Sequence, residues 1–174
     1  GLFACLIRCG AAEGRVAIVK RRRGTFSAEV ASGAHRQAER SGFAVLPPFF
    51  YPNEPNQLMS LAEALAAADP VVLIAVGRYA DDVTLIRTMG HMSRRIKLIA
   101  AVGAPMRAFW NDLEGLADGC IGPSQWEPEA ARTLDVGLSS AAFIERFRQR
   151  FGQIPDYPAA QAYAAGLILQ RCVA

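Results

Sequence analysis

Five short apolar runs, separated by stretches with helical spacing, constrain this chain more than any other feature of its sequence. The runs fall at residues 15–19, 43–46, 71–76, 96–102 and 119–122. The first is rich in β-branched residues, which favour extended backbone. The third is apolar throughout, as expected of a strand buried on both faces of a parallel sheet. Residues 27–40 place Val30, Ala34 and Ala38 on one helical face with Phe26 just before them, and Ser41-Gly42 stops that helix. Residues 57–68 carry Leu58, Leu61 and Leu65 on one stripe, residues 81–92 carry Val83, Ile86 and either Met89 or Gly90 inward, and residues 105–116 place Pro105 in the first turn. Pro47 and Pro48 predict that the second strand ends at an edge or in a loop.

Strand–helix alternation of this kind implies right-handed crossovers and helices on both faces of the sheet. The predicted fold is therefore α/β: a three-layer, doubly wound, mainly parallel, Rossmann-like sheet over residues 15–122, followed by C-terminal helices. In such sheets ligands bind beyond the carboxyl ends of the strands. That directs attention to the loops at 20–26, 51–56, 77–81 and 103–106. After residue 122 the alternation stops. Residues 138–151 are amphipathic, with Phe143, Phe147 and Phe151 four apart, and residues 159–173 are an Ala-rich apolar helix with Tyr163 and Leu167 on one face. The predicted division is an α/β unit at 1–123 and a helical segment at 124–174.

A chain of 174 residues suits one domain of ordinary size. Its net charge of +3 does not favour nucleic acid as a partner, although Lys20-Arg21-Arg22-Arg23 and Arg94-Arg95 concentrate positive charge. No uninterrupted apolar run is long enough to span a membrane. The segment 1–10 is apolar but lacks the basic start of a secretory leader. The sequence begins at Gly1 rather than Met, so it reads as a piece of a longer protein. Cys5, Cys9, Cys120 and Cys172 include no CxxC pair. Cys5 and Cys9 share a helix face, but neither His35 nor His91 is near them in sequence, so the cysteines are expected as buried apolar residues and no metal site is expected. A disulfide in an oxidising compartment remains open.

Motifs for chemistry are sparse. The turn after the first strand reads Lys20-Arg21-Arg22-Arg23-Gly24-Thr25, without the glycines that let backbone amides approach a pyrophosphate, so no nucleotide or other cofactor is expected. There is no nucleophile elbow. His35 and His91 fall in helical segments beside basic residues and are expected at the surface. Asp81-Asp82 is explained by an N-cap and a first-turn acid, and Asp112 and Glu114 read as helix-surface acids. Nothing here supports an enzyme. The basic turn has two readings, a solvated loop or an attractor of an anionic ligand that also faces a helix N-terminus. Arg78 and Tyr79, directly after the third strand, Phe26 at the head of the first helix and Trp126 where the alternation stops are residue types that clamp small planar or anionic molecules.

Several stretches together resemble the second lobe of type I periplasmic solute-binding proteins, the branched-chain amino-acid receptor family of ABC transporters. They are Val16-Ala17-Ile18-Val19, Phe26-Ser27, Ala38-Glu39-Arg40-Ser41-Gly42-Phe43, Asp69-Pro70-Val71-Val72, Ile86-Arg87 and Lys97-Leu98-Ile99. The tail adds Gly119-Cys120-Ile121-Gly122, Trp126, Phe143, Phe147, Phe151-Gly152, Pro155, Ala159-Ala160 and Ala162-Tyr163-Ala164-Ala165. The family usually has an aromatic-Gly pair where Phe26-Ser27 stands. The resemblance implies a two-lobed protein with a ligand closed between the lobes, a periplasmic or extracellular location and a membrane permease as partner. It implies that 1–123 is a ligand-binding lobe and 124–174 a hinge segment with helices that pack on the other lobe. It places ligand contacts at Thr25 and Phe26, at Arg78 and Tyr79, and at Ala101 and Val102, with Trp126 near the hinge. Amino-acid receptors of the family often have an acid near Val102 to hold the ligand ammonium. Residues 100–103 here read Ala-Ala-Val-Gly, which turns the expected ligand from an amino acid towards an organic or aromatic acid. An effector-binding lobe of a transcription regulator or signalling receptor would share the fold. If half the cleft is absent, residues 138–173 would expose apolar faces and are expected to pack on another chain, as a dimer or an exchanged segment.

Overall fold

The structure is a computed structural model that describes residues 2–8, 14–90, 96–129 and 136–173. The side chain of Cys5, and Cys9, His91, Met92, Arg94 and Arg95, lie outside the described residues, and with them the expectations placed on the cysteine pair and on the second basic cluster. Two compact units emerge, Gly1–Ala104 with Ala108–Gly122, and Pro105–Arg107 with Pro123–Ala174.

The first unit is built on a parallel sheet of β1 (Arg15–Lys20), β2 (Ala44–Val45), β3 (Phe49–Phe50), β4 (Val72–Val76), β5 (Leu98–Ala101) and β6 (Cys120–Ile121), in the order β2-β1-β4-β5-β6 with β3 also on β1. The predicted strand at 43–46 is thus two fragments on one edge. Ala44 and Val45 pair with Arg15 and Val16, then Phe49 and Phe50 pair with Val19 and Lys20. Between them stand Pro47 and Pro48, which have no N–H to give to the ladder. β1 and β4 run together over five residue pairs, from Val16 opposite Val72 to Lys20 opposite Val76.

Period-two alternation sorts the strand residues onto two faces. Ala17, Val19, Leu73, Ala75, Ile99 and Ala101 pack under α3 (Leu58–Ala68), α4 (Tyr79–Met89) and α5 (Arg107–Leu113). Val16, Ile18, Val72, Ile74, Val76 and Ala100 pack with Phe3 of α1 (Leu2–Arg8) and the inner face of α2 (Thr25–Arg40). The three-layer expectation therefore holds, with helices on both faces. Each fully buried leucine, isoleucine or phenylalanine of these layers contributes about 1.5–3 kcal/mol, so the layers, rather than helix propensity, hold the sheet.

Helix faces differ from the expected ones in detail. On α2 the buried residues are Ser27, Ala31 and Ala38, Val30 and Ala34 are only partly covered, and Phe26 is 58% exposed. On α3, Ala62 joins Leu58 and Leu65 inside while Leu61 is half-buried. Pro105 precedes α5 rather than standing in its first turn, and a 3-10 turn at Glu114–Ala117 completes the stretch.

The second unit carries α6 (Ser140–Phe151) and α7 (Tyr157–Val173). Ser139 caps α6 by accepting the Ala142 N–H, and Gly152 ends it in the left-handed conformation. Phe143 is the buried anchor, stacked on Tyr163 at 5.0 Å and met edge-on by Trp126 at 5.9 Å. The Tyr163 hydroxyl accepts the Leu138 N–H at 3.0 Å.

Candidate functional site

Strand order decides where a cleft lies. The chain leaves β1 for α2 on one face of the sheet and leaves β4 for α4 on the other, although β1 and β4 are neighbours. That reversal opens a crevice at the carboxyl ends of the two strands. Lys20 and Val76 are paired across it. Ser27 closes the arrangement: its Oγ accepts the Arg21 N–H at 3.0 Å and donates to the Val76 carbonyl at 2.6 Å. The first turn of α2, bearing Thr25 and Phe26, is thereby fastened to the strand that leads into Gly77 and Arg78. Ala101 pairs with Ala75, which sets Val102 one step along the same rim.

Five of the expected contact residues present something at this rim. Thr25, Phe26 and Arg78 are exposed, and Tyr79 and Val102 are half-buried. Ala101 is only 2% exposed, with its side chain in the core, and its carbonyl already accepts the Ala104 N–H. Tyr79 is anchored: its hydroxyl donates to Asp112 Oδ2 and its ring meets Phe109 edge-on. Burial first, then this bond, pushes the phenol up to about 12. Asp112, expected as a plain surface acid, also accepts on its carbonyl from Arg87, so it joins α4 to α5. Trp126 belongs to the second unit, where it lines a cavity of about 230 Å³ with Phe143, Tyr163 and Leu167.

The rim is electropositive. The N-termini of α2 and α4 both open there, and each carries a partial positive charge from its free N–H groups. Arg22 lies over the Phe50 ring at 4.6 Å, with Lys20 Nζ 5.6 Å from the same ring. Beside them Asn53, Gln57 and Ser60 line an open groove of about 480 Å³. Arg21 faces Asp81 at 3.8 Å, and Asp81 accepts the Arg78 N–H at 3.1 Å, as a helix-capping acid does. The basic turn is thus partly solvated and partly ordered by an aromatic ring and an acid.

Asp81 and Asp82 both stand in the first turn of α4, as expected, but Asp82 turns inward. It is 1% exposed and its Oδ1 accepts from the Tyr51 hydroxyl at 2.6 Å and from the Gly77 N–H at 2.8 Å. Burial raises its carboxyl to about 6 even though both hydrogen bonds favour the anion. The Tyr51 phenol is raised well above its ordinary value, by burial first and then by Asp82. Helical spacing carried the signal, since Asp82 stands with Leu85, Ile86 and Met89 on the inner face. A correction concerns Cys172, which is exposed, whereas Cys120 is buried and its thiol is pushed up to about 11 by burial and by Asp118. His35 is exposed beside Glu39. Among the described residues no group of three or more His, Cys, Asp or Glu is placed to hold a metal, and no helix is long and apolar enough to cross a membrane.

A doubly wound parallel sheet covered by helices on both faces is the architecture of an α/β lobe, the fold class that the type I periplasmic binding proteins share. The chain belongs to the periplasmic binding protein family, whose profile matches residues 10–174; the family is extracytoplasmic. It is similar to a leucine-binding protein from Thermotoga maritima, with a TM-score of 0.81 and 16% identity over 97% of this chain and 46% of that one. It also resembles an extracellular ligand-binding receptor from Rhodopseudomonas palustris, with a TM-score of 0.75 and 16% identity over 94% of this chain and 46% of that one. An ABC transporter substrate-binding protein from Desulfitobacterium hafniense, in complex with Leu, matches with a TM-score of 0.67 and 18% identity over 94% and 44% of the two chains. The chain therefore spans less than half the length of these proteins. No curated protein sequence matches it.

Proposed function

We propose that the chain supplies one lobe's share of the solute site of an extracytoplasmic ABC-transporter receptor, which binds without catalysis and hands its ligand to a membrane permease. Family membership supports the class. The observation that carries the site is the Ser27 clasp, which sets the exposed Thr25-Phe26 pair beside the Gly77-Arg78 turn. Arg78 and two helix N-termini would hold a carboxylate, Phe26 would stack on its apolar body, and Val102 would bound it. With Ala-Ala-Val-Gly at residues 100–103, no acid stands there to hold an ammonium. The ligand class is therefore an organic or aromatic acid rather than a zwitterionic amino acid.

The test is a thermal-shift and calorimetric panel on the full-length gene product, with benzoate and aliphatic carboxylates against leucine, isoleucine and valine. Carboxylates lacking an ammonium should stabilise it, by about 2.7 kcal/mol at a hundredfold excess over Kd. Arg78→Ala should weaken them at least roughly tenfold. Stabilisation by the amino acids alone rejects the ligand class. We also infer that the apolar residues exposed on α7, Ile168, Leu169 and Val173, lead the chain to pair with a second copy. A concentration-independent monomer in light scattering rejects that.

A further inference from the structure

The crevice has a buried ionisable group directly beneath it. Ser27 and Asp82 are the buried polar side chains among the described residues. Ser27 satisfies both its hydrogen-bonding roles, whereas Asp82 takes two donors on Oδ1 and leaves Oδ2 without a partner among the described residues. A carboxylate removed from water at an inward helical position is costly, and packing alone would be better served by an apolar side chain. Its donors identify what it holds. Tyr51 follows β3 and is itself bonded to the Lys20 carbonyl, and Gly77 is the residue at which the chain leaves β4 for Arg78. Gly77 is shaped to the bond: a Cβ there would come 2.5 Å from Asp82 Oδ1 and 2.7 Å from the Tyr51 ring.

We propose that Asp82 is a positioning residue of the rim, whose buried carboxylate ties the Gly77–Arg78 turn to the Tyr51 segment and so fixes the conformation in which Arg78 is offered to a solute. The link to a solute rests on the function proposed above. The latch is sensitive to protons. As an anion, Asp82 accepts two charge-assisted bonds. When it is protonated, the proton goes to the partnerless Oδ2, and both bonds to Oδ1 become neutral and weaker. Tyr51 and, on its own helix, Asp81 are the titratable groups that face it; Asp81 is paired with Arg21 from the end of β1. The single titratable residue of α3, Glu63, is exposed, and on α5 Asp112 is exposed and engaged by Tyr79 and Arg87. Acidification through the Asp82 titration, at about 6, loosens the turn locally, because the two bonds that favour the anion weaken while the carboxyl stays buried. This opening is distinct from global unfolding, which exposes the carboxyl and is opposed by acid, and it lowers affinity for the solute.

Hydrogen–deuterium exchange of peptides covering residues 49–56 and 76–82, from about pH 5 to about pH 8 and corrected for intrinsic exchange rates, reads the latch directly. In the wild type, protection of both segments should fall at least roughly threefold on acidification, and the isosteric Asp82→Asn should show the acid level at every pH. Wild-type protection and an unchanged pH profile in Asp82→Asn overturn the proposal. Should Asp82→Ala fail to fold, the asparagine variant still decides. Calorimetry with benzoate as the probe, on the full-length protein, separates the two claims. If the wild type binds neither benzoate nor leucine, the solute reading fails while exchange still decides the latch. If benzoate binds the wild type and Asp82→Asn equally, the positioning role is overturned. A loss of at least about fivefold in the variant supports it.

Discussion

The hydroxyl of Ser27, at the head of α2, donates to the Val76 carbonyl at 2.6 Å while accepting the Arg21 N–H at 3.0 Å, so one buried side chain joins two strand ends and a helix. Ser27→Ala removes both bonds and leaves a buried carbonyl and an N–H unmet. The expected cost is about 1–3 kcal/mol, seen as a lower urea midpoint with an unchanged slope. A variant as stable as the wild type would show that water replaces the hydroxyl.

Gly77→Ala is expected to be worse than a glycine-to-alanine change at an open turn. Its new methyl group would press on Asp82 Oδ1 and Tyr51 together, with the Asp81 Cβ 3.0 Å away. Neither partner is the free end of a flexible chain, because both are buried and bonded to each other. Overpacking of this kind costs about 1–3 kcal/mol. Differential scanning fluorimetry should show a lower Tm for Gly77→Ala, and none for Gly33→Ala, where a Cβ meets nothing within 4 Å.

Asp82 should leave a signature in the pH dependence of stability. Its carboxyl rises from 3.8 to about 6 on folding, so between those values the native state binds more protons than the unfolded chain. Stability then falls as pH rises through this window and is level above it. The shift of about 2.2 units, at 1.36 kcal/mol each, is worth about 3 kcal/mol. The difference in unfolding free energy between wild type and Asp82→Asn isolates it from the other carboxylates. That difference should move against the wild type from about pH 4 to about pH 6. An opposite slope would mean that the two hydrogen bonds outweigh burial.

Much of the first unit was legible because its signals are local. The β-branched run at residues 15–19, the continuously apolar run at 71–76 and the leucine stripe at 57–68 need no partner to be recognised, and they set the layers and the loops at the strand ends. The break at Pro47-Pro48 was readable as an edge, but not the return of Phe49 and Phe50 to β1, which depends on pairing with residues thirty positions away. The site was read as residues at strand ends and helix starts, among which Thr25, Phe26 and Arg78 are exposed and Ala101 is buried. The residues that hold them in place were missed for a common reason. Ser27 and Asp82 are helix-start residues in sequence, and only tertiary contact with Val76, Gly77 and Tyr51 makes them interior ones. Asp82 could have been found by letting its spacing to Leu85, Ile86 and Met89 outweigh its charge.

The second unit offers a test of what anchors it. Phe143 is 8% exposed and touches three rings, those of Trp126, Phe147 and Tyr163. Phe151, two turns along the same helix, meets Phe147 at 4.5 Å but is 56% exposed and has Arg150 over its ring at 5.7 Å. Both belong to one repeating pattern, yet burial separates them. Phe143→Ala should cost about 3–5 kcal/mol through lost transfer and the cavity left behind, whereas Phe151→Ala should stay within about 0.5 kcal/mol. Trp126 reports the difference, since its indole packs edge-on against Phe143. Its emission should shift to the red in Phe143→Ala and hold in Phe151→Ala, with Trp110 replaced by Phe in the background protein to remove the second indole. Equal losses at the two positions would mean that the exposed end of α6 is covered in solution.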